Sequence, residues 1–364
     1  MPEKQKVGVI GCGNISSAYF TAAKTFDDID IVACADINMT AARKKAEEFG
    51  IKALTVEEIL KDQSISIIIN LTIPQAHVEV NLKILEAGKH AYCEKPFALN
   101  RAKGKTVLEL AAKKGLMTGC APDTFLGGGL QTVKKAIEDG WIGRPLAGTA
   151  FMMCSGHESW HPNPGFYYLD GGGPMLDMGP YYITALVNLL GPVKSVLGYT
   201  KASFTERVAT CKELYGKKLP VEVPTHYSGT IEFVNGALIN IIMSFDVKAH
   251  SHNCIEIYGS QGSIKVPDPN TFAGDILVKR ANEWEKLPYS HIYTENMRSI
   301  GVADMADAIN NKRENRASGI LAYHVLDVML AFEDSSHSGK RVELESTCKQ
   351  PEKLPMGLFK GKIN

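Results

Sequence analysis

The sequence carries no excess of charge of either sign: 40 Lys and Arg residues face 40 Asp and Glu residues. That balance leaves no net positive field to hold a nucleic-acid backbone or an anionic membrane surface, so a neutral or small substrate fits better than a polyanionic partner. No apolar run reaches the roughly 18 residues that would suggest a membrane span. The eight cysteines are scattered from Cys12 to Cys348 without a CxxC pair, which reads as reduced intracellular thiols. Nothing at the start resembles a signal peptide, and a cytoplasmic protein is expected. Internal repeats and low-complexity tracts are lacking too. What is left is ordinary globular composition, 45% hydrophobic and 22% charged, over 364 residues. That is more chain than one hydrophobic core usually organises.

The first third alternates strand and helix. Lys6-Val7-Gly8-Val9-Ile10 reads as a buried strand entering a glycine turn, and Ile31 to Asp36 as the next strand. A charged helical stretch from Thr40 to Phe49 ends at Gly50, and Ile65 to Ile73 is a third apolar strand closed by Pro74. A helix near 77–87, a strand at 90–93, a helix after Asn100 and a short strand at 116–120 continue the pattern. It predicts an α/β Rossmann domain with a doubly wound parallel sheet over residues 1–124. From about Leu146 the runs lengthen and turn signals appear: Asn235-Gly236 between two β runs, and Gly259-Ser260-Gln261-Gly262. Helices are expected at 298–311 and 317–333. The second unit, 125–345, is therefore read as an α+β domain with a large, mostly antiparallel sheet that binds substrate and carries oligomer contacts. A C-terminal tail follows at 346–364.

Gly11-Cys12-Gly13-Asn14-Ile15-Ser16 lies between the first strand and the first helix, where a dinucleotide's pyrophosphate needs bare backbone and a helix N-terminus. The third position is Ser16, still small enough for close helix–strand packing. Asp36 ends the second strand, placed to accept hydrogen bonds from an adenosine ribose and to repel a 2′-phosphate. Ile37 and Asn38 supply no cation for that phosphate, whereas Arg43 on the next helix is the one nearby exception. NAD is the expected cofactor.

Tyr92-Cys93-Glu94-Lys95-Pro96 follows another strand, and Gly171-Gly172-Gly173-Pro174-Met175-Leu176-Asp177 opens on glycines that let backbone approach a ligand. Asp177 and Tyr181 are four residues apart, so a helix starting near Asp177 shows both on one face, with Pro180 in its first turn. Oxidising an alcohol needs a group to take the hydroxyl proton as hydride leaves. A tyrosine of intrinsic pKa ~10 serves only beside positive charge, which Lys95 would supply. Through the glycine turn, the Glu-Lys-Pro segment and the Asp-x-x-x-His/Tyr segment, the chain resembles the glucose–fructose oxidoreductase and inositol dehydrogenase family over nearly its whole length. The resemblance implies that Lys95 sits beside the nicotinamide, that Tyr181 takes a position that is His in many relatives, and that Asp177 binds substrate or orients the pair. It leaves open whether Tyr181 or Lys95 takes the proton. The expected cofactor contacts are Gly11, Gly13, Asn14, Ile15, Asp36, Thr72, Pro74, His77, Glu94 and Lys95.

His157-Glu158-Ser159-Trp160-His161 matches the H-E-x-x-H pattern of zinc proteases. That chemistry needs a helix, yet Gly156 precedes the segment and Pro162-Asn163-Pro164-Gly165 follows. No metal is expected; His157, Trp160, His161 and Asn163 read as polar and aromatic lining for a hydroxyl-rich ligand. Asp123 and Thr124, after the last strand of the first unit, are the other expected substrate contacts, since ligands lie beyond the carboxyl ends of parallel strands. His324 reads as a packed histidine. The reading that results is an NAD-dependent oxidoreductase, a homo-oligomer, acting on a secondary ring hydroxyl of a sugar, glycoside or cyclic polyol. Within the family, the Gly-Gly-Gly-Pro-Met and Asp-Met-Gly-Pro-Tyr wording is similar to the glycoside 3-dehydrogenase branch. The alternatives weighed are an NAD-assisted glycosidase working through transient C3 oxidation, a non-catalytic dinucleotide sensor, and a zinc hydrolase.

The acid at position 36 yields the first test. Equilibrium titration should show NAD binding more tightly than NADP, and the pair Asp36→Ala with Asn38→Arg should reverse the order by removing repulsion and adding a cation. Tighter NADP binding by the parent would refute the assignment.

Overall fold

The computed structural model describes residues 4–364. Six parallel strands form the first sheet: β1 Gln5–Ile10, β2 Ile29–Ala35, β3 Lys52–Leu54, β4 Ile67–Asn70, β5 His90–Cys93 and β6 Thr118–Cys120, in the order β3-β2-β1-β4-β5-β6. Val7, Val9, Ile67, Ile68 and Ile69 are wholly buried, as central strands covered by helices on both faces must be. The covering helices are α1 Ser16–Ala23, α2 Met39–Phe49, α3 Val56–Lys61, α4 His77–Glu86 and α5 Arg101–Lys114. Their ends follow local chemistry. Asn38 and Asn100 accept backbone N–H groups at the starts of α2 and α5, and Gly50 and Gly115 end them in left-handed conformation. Sequence periodicity misses β3 and α3, because β3 is only three residues long at the sheet edge and α3 rests on a Thr55–Glu58 capping box.

The strand order reverses between β1 and β4, which opens a crevice at the carboxyl ends of the sheet. The chain then crosses through α6, Gly128–Glu138, into a nine-stranded sheet. Its members are β7 Pro145–Met153, β8 Val193–Lys201, β11 His226–Phe233, β12 Leu238–Ser244, β13 Ile255–Gly259, β14 Ser263–Val266, β15 Leu277–Lys279, β16 Glu285–Lys286 and β17 Val342–Glu343. All neighbours are antiparallel except β7 and β12. The Asn-Gly turn joins β11 to β12, with Gly236 at φ 88° and the Asn235 side chain accepting from Ala237 N. A separate two-stranded ribbon pairs β9 Glu206–Val208 with β10 Lys218–Pro220. Helices α7, Gly173–Leu190, and α9, Gly319–Ser338, pack on this sheet, while α8, Ile300–Asn311, packs against the first unit.

One expectation needs correction. The helix bearing Asp177 starts at Gly173, so Asp177 lies inside it, and Pro174 occupies the first turn. Pro180 is interior and removes the N–H that would meet the Leu176 carbonyl. Gly171 and Gly172 stay outside the helix, and burial along α7 outweighs the poor helix propensity of Gly173.

The last residues also pack. Leu354 and Ile363 are buried, and Gly361 O accepts from Asp27 N at 3.1 Å. Arg316 anchors this segment: its guanidinium pairs with fully buried Asp304 at 2.5 Å and donates to Glu352 O at 3.1 Å and Asn364 Oδ1 at 2.9 Å. Breaking a buried pair leaves a charge uncompensated, although Arg313 still reaches Asp304 at 2.7 Å. Arg316→Met should therefore lower stability by about 3 kcal/mol. A urea unfolding midpoint equal to the parent's would show that the anchor contributes nothing.

Candidate active site

The glycine loop is built for a close neighbour. Gly11 sits at φ 106°, and a Cβ there would lie 2.6 Å from the Leu71 carbonyl carbon and oxygen. Gly13 faces open space, with exposed Asn14 and half-buried Ile15 beside it, and no side chain caps the start of α1. Ser16 is buried and donates from Oγ to Gly13 O at 2.6 Å, so the serine at the third motif position secures the turn. Asp36 accepts from Cys12 N and Asn38 N, each at 2.8 Å, which fixes its carboxylate at the edge of the loop. These residues fit a dinucleotide: open backbone, a bare helix N-terminus and an oriented acid for a ribose.

The second loop expected to meet the cofactor follows β4. Thr72 donates to Asn70 Oδ1 at 2.6 Å, and Pro74 starts a short 3₁₀ turn that leads into α4. His77 is a correction to the expected contacts. It is 1% exposed, with ring nitrogens 2.8 Å from Pro96 O and 3.0 Å from Thr72 O. It ties two loops together and presents no surface to a cofactor. Burial pushes its pKa down despite those two carbonyls.

Glu94 and Lys95 emerge at the carboxyl end of β5. Glu94 accepts from the Tyr19 phenol at 2.8 Å and from Lys95 N at 2.9 Å. Lys95 Nζ crosses to α7, donating to Asp177 Oδ1 at 2.9 Å and to Asp177 O at 2.6 Å. Its ammonium also stands 5.3 Å from the centre of the Tyr181 ring. The structure thus brings the three expected catalytic residues into one cluster and adds His157, whose Nε2 is 3.4 Å from Asp177 Oδ2.

Charges in this cluster are strongly coupled. Burial alone would push Asp177 up, but Lys95 and His157 overcome it and hold its carboxyl at about 2. Burial likewise opposes the charged forms of Lys95 and His157; Asp177, with Tyr181 and Glu94 for the lysine and Cys154 for the histidine, outweighs it. Lys95 is held above the usual lysine range, and His157 is pushed up to about 9. The Tyr181 phenol is raised by burial, with Lys95 and Arg298 acting in the opposite direction. Arg298 was not signalled by any motif; its Nη2 lies 3.5 Å from the Tyr181 oxygen.

The other expected substrate residues separate into two groups. His157 packs on Tyr167, Trp160 and Phe245, while Trp160 and Asn163 lie on the exterior and His161 accepts from Asn163 N at 3.0 Å. The H-E-x-x-H segment makes a single turn, in which His161 N donates to His157 O at 3.1 Å. Glu158 is committed to Arg207, so the residue a zinc protease would use on water is already in an ion pair. Asp123 and Thr124 face inward. Asp123 Oδ2 accepts from Ser299 N at 3.2 Å and Gly301 N at 3.0 Å, and Thr124 donates to Pro269 O at 2.7 Å. Burial raises Asp123 to about 6. These two residues support the cleft from behind, because their polar atoms are used in backbone contacts and both are 1% exposed.

Sequence profiles place this geometry. Residues 5–121 match "Oxidoreductase family, NAD-binding Rossmann fold", and residues 130–265 match "GFO/IDH/MocA C-terminal domain". The chain belongs to the Gfo/Idh/MocA family. It is thus a member of an NAD-binding oxidoreductase family. Among curated relatives, D-glucoside 3-dehydrogenase of Escherichia coli (strain K12) is 24% identical over 93% of this chain and 97% of its own. D-apiose dehydrogenase of Paraburkholderia graminis is 25% identical over 94% of this chain and 90% of its own. Levoglucosan dehydrogenase in complex with NADH superposes with a TM-score of 0.80 at 22% identity, covering 94% of this chain and all of the other, which shows a shared fold. No helix among the described residues is long and apolar enough to cross a membrane.

The raised His157 can be observed directly. Its charged form stabilises the fold fully below the ordinary value of 6.5, and that contribution is lost as pH rises through about 9. NMR titration of the ring should give a midpoint at about 9 in the parent and a lower one in Asp177→Asn, where burial opposes the charge with only Cys154 left to favour it. An unchanged midpoint in the variant would show that Asp177 is not the cause.

Proposed function

We propose that this protein uses NAD to oxidise a secondary ring hydroxyl of a sugar, glycoside or cyclic polyol, with C3 of a glucoside as the best-fitting position. The observation that carries the reading is the Lys95 ammonium, held 2.9 Å from Asp177 at the carboxyl end of β5 and beside the Tyr181 ring. The relatives named above act on sugars by their names, and the 3-dehydrogenase among them supports the choice of carbon.

When bound, NAD supplies the hydride acceptor. The protein's part is charge and position. Lys95 lowers the cost of negative charge on the substrate oxygen as its proton departs. Asp177 keeps that ammonium in place with Oδ1 and is itself held through Oδ2 by His157. Tyr181, one helical turn beyond Asp177, presents its phenol to the same space. In the protein alone both Tyr181 and Lys95 stay protonated at neutral pH, since burial raises the first and Asp177 the second. Proton departure is therefore coupled to substrate binding. Lys95 or Tyr181 can take the hydroxyl proton only after giving up its own proton to solvent.

The open face of the nine-stranded sheet exposes Leu197, Tyr199, Leu238 and Tyr258. Such an apolar patch supports a homo-oligomer with this face covered.

NADH formation across inositols, free sugars and glycosides tests the reaction. Lys95→Ala should keep NAD binding and lose turnover by about 10²-fold or more, the scale of a positioned electrostatic or acid–base group. A severe loss in Tyr181→Phe assigns proton acceptance to Tyr181, whereas near-normal turnover shifts it to Lys95 or water. Parent-like turnover in both variants would remove the proposed site. Aglycone release without net NADH would replace oxidation by NAD-assisted glycoside cleavage.

A further inference from the structure

Arg298 stands beside the Tyr181 phenol, and the backbone behind it is firmly held. Ser299, at φ 108°, donates from N to Asp123 Oδ2 at 3.2 Å and from Oγ to Tyr19 O at 3.0 Å. Gly301 N adds a third bond to Asp123, at 3.0 Å. The guanidinium itself is poorly matched. Nη2 reaches Tyr181 Oη and Asn270 Oδ1 only at 3.5 Å each, and Nη1 reaches Asn296 Oδ1 at 3.3 Å. Among the described residues no carboxylate lies within 4 Å of it. Every other arginine that is buried or half-buried has one: Arg101 pairs with Asp327 at 2.5 Å, Arg207 with Asp246 at 3.0 Å, Arg313 with Asp304 at 2.7 Å and Arg316 with Asp304 at 2.5 Å.

A guanidinium cannot shed its charge, so removing it partly from water is unfavourable unless an oxyanion compensates. Asp123 and Glu94 favour its charge from beyond 4 Å, but they offer its fork no partner, and three long bonds to neutral oxygens do not supply one. Lys95 meets no such need, because Asp177 already balances it. The cleft therefore holds one cation with its planar fork unmatched, beside the residues proposed to handle the reacting hydroxyl. One fork and one charge match one carboxylate in bidentate geometry.

We infer that Arg298 receives a substrate carboxylate, which makes the preferred substrate an acidic sugar or glycoside, such as one with a hexuronic acid unit. The inference rests on the reading of this cleft as a sugar dehydrogenase site. The carboxylate is a spectator on a carbon other than the one oxidised. It fixes the ring so that a single hydroxyl meets Lys95 and Tyr181.

Matched substrates test it: methyl β-D-glucoside against methyl β-D-glucuronide, with glucose 6-phosphate against glucuronate as a second pair. In the parent, the acid of the first pair should be favoured in kcat/KM by about tenfold or more, the worth of a hydrogen-bonded charged group. In Arg298→Met that ratio should fall to about one, and in Arg298→Lys to an intermediate value, because lysine keeps the charge and loses the fork. A parent that favours the neutral glucoside, or a ratio unchanged in Arg298→Met, overturns the inference. Preference for glucose 6-phosphate over glucuronate overturns the carboxylate assignment. If no compound is oxidised, the dehydrogenase reading fails by itself, and glucuronate binding to the enzyme–NADH complex, followed by NADH fluorescence, still decides the question. Binding at least tenfold weaker in Arg298→Met supports a carboxylate site, and equal binding excludes it.

Discussion

The ion pair between Lys95 and Asp177 is the contact on which the rest of the site depends. The two residues are 82 positions apart, one at the end of a Rossmann strand and the other inside a helix of the second unit. Both side chains are mostly buried, so each charge is tolerable only because the other is present. The contact therefore joins the two units in one register: a shift of α7 along its axis by one residue would move Asp177 away from the ammonium and leave two uncompensated charges. Lys95 also bonds the Asp177 carbonyl, so helix backbone and side chain are gripped together. Tyr181 inherits its place from this grip, being one turn further along the same helix.

The groups that the first unit contributes reach the cleft by one route, the carboxyl end of a parallel strand. Gly11 follows β1, Asp36 follows β2, Thr72 follows β4, Glu94 and Lys95 follow β5, and Asp123 follows β6. Side chains brought together this way come from distant parts of the sequence and need local fixing. Asn70 and His77 supply it for the loop after β4, and Asp123 supplies it for the turn that carries Arg298. These polar residues are buried and satisfied, and their work is to keep two neighbouring loops at fixed separation.

Much of this was legible in the sequence because it depends on short-range patterns. Buried strands announce themselves as runs such as Val7 to Ile10, a helix end as Gly50, and the hairpin as Asn235-Gly236. The trio proposed for catalysis was legible for a different reason: its residues sit in local wording around Glu94-Lys95-Pro96 and Asp177 to Tyr181. Short edge elements were not legible. Nothing in the alternation marks three residues at 52–54 as a strand, since their pairing with β2 is a tertiary event.

Asp123, Thr124 and His77 show where reading from position alone stops. All three follow strand ends, where ligands bind, and a polar residue there has two possible partners: a ligand, or the backbone of a loop that must itself be held. Sequence does not distinguish them, because the choice is made by which segment packs above the strand end. For Asp123 that segment is the start of α8, nearly 180 residues away, whose N–H groups take the carboxylate. The same packing explains why Arg298 escapes a motif search. Its position depends on the left-handed turn at Ser299, a conformation rare for a residue with a side chain, and on the buried carboxylate that stabilises it. A buried acid that reads as a ligand contact thus acts one step removed, by setting the height at which an arginine enters the cleft.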